Sequence, residues 1–427
     1  MQPDAYGLAL STASRGAADA FDRGVTGLLS WDARSAAFFR EAAAADAGLA
    51  AAHAGLAVAH FVEEEFAGAR TAMAAAREAA GRGSGREQSL VAALGHYVNL
   101  RPGDAEAAMR AHLGAWPADL MIAQRLYLMW FFQGRFADMR ELSETLLESL
   151  PEDPFVHGFH AFVLEEQGEG EEAVRWAERC IARNPEDTWG VHALTHALYD
   201  LEAYDEALER VPPALDACVH MNYYRNHMLW HLVLFRIAVG GYDAASEMCR
   251  GWFEIEPSAR GLDLRNTVST LWRFELYGME PGERWRPFAD ILKRQLDRPE
   301  DSPFHHSHVG MALAGGRDWD AAEAHLDILR ARGRASGNDI WERVVIPLNE
   351  AQHAFVRGEW DRVVDRTEPI WDEIVRLGGS KTQRDAFHDT LLEAALRSGD
   401  AGRARRWLDE RLARRAEHFW TNRRHAA

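Results

Sequence analysis

Residues 170–207 read GEEAVRWAERCIARNPEDTWGVHALTHALYDLEAYDEA. Gly170-Glu-Glu-Ala173 opens one helical stretch, Asn184-Pro-Glu-Asp187 breaks it, and Trp189 to Asp200 forms the next. Tyr204-Asp-Glu-Ala207 then opens a third, 204 − 170 = 34 residues after the first opening. A period of 34 is that of the tetratricopeptide repeat, in which two helices stack as a hairpin. The same opening returns, at looser spacing, as Tyr242-Asp-Ala-Ala245, Trp319-Asp-Ala-Ala322 and Trp360-Asp-Arg-Val363. A small residue there lets the two helices of a hairpin approach closely.

Between these openings helix formers dominate, and no alternating β-branched run bounded by hairpin turns occurs. The chain is predicted to be all-α. Its architecture is a right-handed superhelix of about eleven tetratricopeptide-like hairpins, from roughly Ser14 to Ala416. These form one continuous domain over residues 1–427. Asp153-Pro154 and Ser302-Pro303 read as an N-cap followed by proline at the first helical position. Ser380-Lys-Thr-Gln383 has capping-box spacing. In such an array the first helix of each pair lines the concave side. Function is therefore expected on the inward faces of first helices.

Composition narrows the chemistry. The 427 residues carry 48 Lys and Arg against 66 Asp and Glu, a net charge of −18. That balance argues against nucleic acid and anionic membranes, which both recruit clustered positive charge. Only Lys293 and Lys381 are lysine, and neither sits in a Gly-Lys-Ser/Thr run, so no P-loop is expected. Gly-x-Ser-x-Gly and Gly-x-Gly-x-x-Gly are absent, which removes the common hydrolase and dinucleotide signatures. Cys180, Cys218 and Cys249 are the 3 cysteines, too few for a disulfide framework and without metal-finger spacing. They fall on second helices and read as buried thiols in a reducing, cytoplasmic compartment. No basic region leads into an apolar stretch near Met1, and no apolar run reaches about 18 residues. Neither a signal peptide nor a membrane helix is expected.

Several stretches together resemble the tetratricopeptide-repeat protein 38 family. They are Tyr6-Gly-Leu-Ala-Leu-Ser-Thr12, Trp189-Gly-Val-His192-Ala-Leu-Thr-His196-Ala-Leu-Tyr-Asp200, and Asn226-His227-Met-Leu-Trp230-His231-Leu-Val-Leu-Phe235. Leu271-Trp272-Arg273-Phe-Glu275-Leu276, His308 to Leu313 and Gly378-Gly-Ser-Lys-Thr-Gln-Arg384-Asp385 complete the set. The resemblance spans nearly the whole chain. It implies a closed helical-repeat architecture and no particular chemistry.

The 19 histidines are the distinctive feature. His192 and His196 are four apart, one helical turn along a single face. His227 and His231 repeat that spacing 227 − 192 = 35 residues later, on the next first helix. Neighbouring helices lie about 8–10 Å apart, close enough for four imidazoles to converge. His157 and His160 sit one helix earlier, and His305, His306 and His308 two pairs later.

Three readings stay open. Two His-x-x-x-His pairs can bind a transition metal, with Asp200 as an oxygen donor or orienting group. No His-Glu-x-x-His occurs, and Glu350 to His353 is the only Glu-x-x-His, where a di-iron carboxylate bundle needs two. Alternatively, His192, His196, His227, His231 and His308 act as acid/base or ligand-binding groups near neutral pH. Trp230, Trp272, Arg273, Arg384 and Asp385 would then line the ligand. Lastly, the histidines are core residues bonded between stacked helices, with Trp189, Trp230 and Trp272 packed beside them.

Gly378-Gly379-Ser380 reads as a helix stop and cap, or as an anion-binding turn. The Arg403, Arg405, Arg406, Arg411, Arg414 and Arg415 run is a solvated capping helix, or pairs with an acidic partner or the chain's own acidic surface. The leading expectation is a soluble cytoplasmic protein that holds a small molecule or peptide terminus in a His-lined groove. The alternatives are an enzyme using those histidines and a protein–protein scaffold. For a scaffold only Asn226 offers the inward amide that peptide-binding repeats use in ladders.

Overall fold

The computed structural model describes residues 1–298, 302–414 and 418–426. Consecutive helices form the hairpins that the 34-residue period predicts. α1 (Arg15–Leu29) precedes α2 (Ser35–Ala45), α3 (Ala50–Val62) precedes α4 (Phe66–Ala80), and α5 (Gly85–Val98) precedes α6 (Pro102–Ala115). Then come α7 (Leu120–Phe131) with α8 (Phe136–Ser149) and α9 (Pro154–Glu166) with α10 (Gly170–Arg183). α11 (Thr188–Asp200) and α12 (Tyr204–Ala217) follow, then α13 (Tyr224–Ala238) and α14 (Tyr242–Cys249). Next are α15 (Gly261–Leu276) with α16 (Arg286–Lys293), and α17 (Pro303–Gly315) with α18 (Trp319–Ser336). α19 (Ile346–Val356), α20 (Trp360–Thr367), α21 (Lys381–Ser398), α22 (Ala401–Arg414) and α23 (Phe419–Ala426) close the chain. The fold is all-α, an array of tetratricopeptide-like hairpins. The N-terminal arm adds what the helical reading lacked, a two-residue antiparallel ladder pairing Gln2 with Leu10 and Pro3 with Ala9.

The expected caps form. Asp153 accepts from the backbone N–H of Phe155 and Val156, and Ser302 from that of His305. Ser380 and Gln383 make a reciprocal capping box, which gives the Gly-Gly-Ser turn its structural role. Gly378 there has φ +78°, and a Cβ on it would lie 2.4 Å from the Phe132 carbonyl oxygen. Neighbouring hairpins approach closely over missing side chains elsewhere too. A Cβ on Gly55 would meet the Phe39 ring at 2.3 Å, and one on Gly190 the Cys180 sulfur at 2.4 Å.

The chain divides into two compact units. The first comprises Met1–Trp130, Arg135–Ala197 and Arg210–Arg225. Within it the segment before α13 returns to the α1–α2 turn. Trp31 and Tyr224 stack at 4.3 Å, Asn222 N–H donates to the Trp31 carbonyl at 2.9 Å, and the Tyr223 hydroxyl donates to the Val62 carbonyl at 3.0 Å. Arg86, buried, ties Asp4 at 3.0 Å to Asp119 at 2.8 Å, fixing the arm to α5.

The second unit comprises Phe131–Gly134, Leu198–Glu209 and the described residues of Asn226–Ala427. Its centre is α21, buried from Thr382 through Ala395. α15 lies against it: Trp272 Nε1 donates to Thr390 Oγ1 at 2.8 Å, Arg273 Nη2 to the Thr382 carbonyl at 2.7 Å, and Tyr277 to Asp389 Oδ2 at 2.7 Å. Of the arginine-rich helix, Arg411 turns inward and binds Asp389 at 2.6 Å. Arg403 and Arg406 pair with the chain's own Glu368 on the surface. Arg415 and Ala416 lie outside the described residues.

Among the described residues no helix is long and apolar enough to cross a membrane. Cys180, Cys218 and Cys249 are buried and unbridged. Burial pushes the Cys218 thiol up to about 11, which leaves it protonated and inert near neutral pH.

Candidate functional site

First helices of ordinary surface hairpins would show one apolar stripe. Here α9, α15, α17 and α21 are buried almost all round, and polar side chains are buried with them. Buried polar groups need partners, so the partners define what these faces can do.

In the first unit α11 presents His192 and His196, both at most 2% exposed. Their rings meet at 4.4 Å, edge to face. Phe162 of α9 stacks on His192 at 5.2 Å and meets His196 at 5.1 Å. The Tyr224 hydroxyl lies 3.3 Å from each ring nitrogen of His192. Trp189 stands beside His192 at 5.1 Å, so aromatic rings pack this imidazole from several directions. His196 faces carboxylates instead: its Nδ1 is 3.7 Å from Glu165 Oε2. Glu165, Glu166 and His196 each offer a ligand atom, and those atoms lie within 4.8 Å of one another.

In the second unit α13 carries His227 and His231, whose Nε2 atoms are 3.2 Å apart. His227 Nδ1 is 3.2 Å from Asn266 Oδ1 on α15. An amide oxygen only accepts, so Nδ1 bears the proton and Nε2 the lone pair. His231 must then donate from Nε2, leaving its lone pair on Nδ1. Burial, with Arg265 nearby and only partly offset by the Asn266 hydrogen bond, holds His227 down to about 4. The imidazole is neutral at physiological pH. Asn266 Nδ2 is buried and has no hydrogen-bond partner among the described residues.

The remaining expected site residues divide. Trp230 Nε1 donates to Thr270 at 3.1 Å, and its ring stacks on His227 at 5.3 Å, so it belongs beside the pair. Arg273 lies 5.9 Å over the Trp230 ring while donating to Thr382 and to the Ser269 carbonyl at 3.2 Å. Trp272 points the other way, against Trp285 and Phe355 and onto Thr390, a packing position. Arg384 donates to the Gly379 carbonyl, and Asp385 lies 3.5 Å from Arg411. His308 donates from Nδ1 to the Phe304 carbonyl at 2.8 Å and packs between Phe304 and Phe387; burial holds it down to about 3.

Other histidines fit the packing reading. His306 and His325 bond each other at 2.9 Å, and His160 bonds Ser143 at 3.0 Å. His157 Nε2 donates to the Pro151 carbonyl at 2.8 Å. Asn226 donates to Asp263 at 3.1 Å, an internal contact. Sequence reasoning passes over Glu165, Glu166 and Asn266. Glu165-Glu166 ends an otherwise apolar first helix, and 196 − 165 = 31 places His196 about one repeat later. That juxtaposition is the available signal. Asn266 carries none.

No family model matches the chain. Its fold is similar to that of the human IFIT1 dimer with PPP-AAAA, at 12% identity and a TM-score of 0.44, over 92% of this chain and 94% of that one. It is also similar to the APC/C hetero-tetramer Cut9–Hcn1, at 14% identity and a TM-score of 0.39, over 89% of this chain and 78% of that one. These are likenesses of fold.

Proposed function

We propose that this chain is a soluble, cytoplasmic ligand-binding repeat protein. His227, His231 and Asn266 are its principal polar contacts, with Trp230 as the apolar wall. Its motifs make it a relative of the tetratricopeptide-repeat protein 38 family. The observation that carries the reading is Asn266 Nδ2, a buried donor with no acceptor among the described residues. An unmet buried donor costs about 1–3 kcal/mol, a cost that an acceptor oxygen on a bound molecule removes. The ligand is a small molecule or peptide terminus bearing a carbonyl or carboxylate.

Binding is favoured over acid/base chemistry because an imidazole titrating at about 4 is a weak base at neutral pH. Such a group orients and hydrogen-bonds. The packed His308, with Arg384 and Asp385, is a further candidate within the second unit, and His192 and His196 are separate candidates within the first.

Native mass spectrometry of the untagged protein tests this, alongside a thermal-shift screen of small carboxylates and amides. The expected result is a bound mass, or a shifted Tm, that disappears in Asn266→Leu. Absence of both a retained molecule and any Tm shift in the wild-type protein would overturn it.

A further inference from the structure

Arg125 lies on α7, a first helix of the first unit, and is 1% exposed. Its Nη2 donates to Gln124 Oε1, and Gln124 Nε2 in turn donates to the Leu29 carbonyl at 3.1 Å. Its Nε is buried with no hydrogen-bond partner among the described residues. No carboxylate among the described residues pairs with this guanidinium. Burial pushes it below its ordinary value, offset only in part by the phenols of Tyr97 on α5 and Tyr223 before α13. An amide and two phenols offer dipoles and no counter-charge.

Other buried arginines are provided for. Arg86 of the same unit holds Asp4 and Asp119, and Arg411 of the second unit holds Asp389. Arg273 lacks a carboxylate but meets two backbone carbonyls, those of Thr382 and Ser269. Arg125 has a single amide oxygen. A guanidinium stays protonated in proteins, so it does not escape the cost of burial by losing its charge. Its planar fork matches the oxygens of a carboxylate or a phosphate. Tyr97 and Tyr223 are only half-buried, so the cluster is not sealed from solvent. It also lies where an array of hairpins presents its ligand contacts, on first helices.

We propose that Arg125, with Tyr97 beside it, binds an oxyanion, a carboxylate or phosphate group that supplies the missing counter-charge. The site lies in the first unit and does not depend on the ligand site at His227 and Asn266 in the second.

The test uses the full chain in Tris chloride free of carboxylate and phosphate. Succinate and, separately, inorganic phosphate are titrated at constant ionic strength, with Tm as the readout. The wild-type Tm is expected to rise saturably with at least one of them. A response to succinate alone assigns the site to an organic acid, and one to phosphate alone assigns it to a phosphate group. Arg125→Met is expected to lose the saturable rise. Tyr97→Phe keeps the charge and removes one hydroxyl, and is expected to weaken the apparent affinity about 10-fold. Asn266→Leu is expected to respond like the wild type. A wild-type protein that responds to neither anion overturns the proposal. So does a saturable rise that survives in Arg125→Met, or one that is lost in Asn266→Leu. If Arg125→Met does not fold, Tyr97→Phe decides, and an unchanged affinity there overturns the proposal.

Discussion

His231 and His227 face each other through Nε2 at 3.2 Å, and Asn266 fixes the direction of that hydrogen bond. The arrangement needs His227 neutral, because a protonated His227 has no lone pair to accept with. Protonation would break the pair and place a charge in a buried site.

Acid should therefore destabilise the fold. Burial holds His227 and His353 to about 4 and His306, His308 and His388 to about 3, against about 6.5 when unfolded. As pH falls below 6.5 the unfolded chain takes up protons that the folded chain refuses. Stability is then fully present above 6.5 and is lost as pH drops toward 4 and 3. Each pH unit separating a group's folded and unfolded titration is worth about 1.4 kcal/mol. Urea unfolding at pH 7.5 and pH 5 is expected to show a clearly lower midpoint at pH 5. Equal midpoints would mean that the histidines are hydrated or paired with acids.

Asp187 runs the other way. It caps α11, accepting from the Trp189 N–H at 3.0 Å and the Cys180 thiol at 3.1 Å, and burial raises it to about 7. The folded chain keeps this proton at a pH where the unfolded chain has lost it. Its contribution is present below about 4 and is lost as pH rises toward 7. Asn caps as well as Asp does. Asp187→Asn is expected to gain stability relative to wild type as pH rises from 4 to 7, read as a growing difference in Tm. A difference independent of pH would place the carboxyl's titration elsewhere.

The repeat and its caps were legible because they are local. Asp153-Pro154, Ser302-Pro303 and Ser380 to Gln383 each act within one or two turns of helix, and the 34-residue period shows as repeated openings that are each read from four adjacent residues. The histidine pairs were legible for the same reason, since i and i+4 share a face whatever the tertiary context. Asn266 and Glu165 were not, because their meaning comes from contacts 266 − 227 = 39 and 196 − 165 = 31 residues away. Trp272 shows the reverse failure. It lies two residues after Thr270, the partner of Trp230, yet the helical turn points it at Thr390 instead.

Gly378 offers a test of the second unit. Its φ of +78° and ψ of −164° belong to a region only glycine enters readily, and a Cβ would strike the Phe132 carbonyl oxygen at 2.4 Å. Gly378→Ala is expected to destabilise by about 2 kcal/mol or more. Gly103→Ala, where a Cβ meets nothing within 4 Å, is the control and should change little. Chemical denaturation distinguishes them, and equal midpoints would show that the 378 turn can relax.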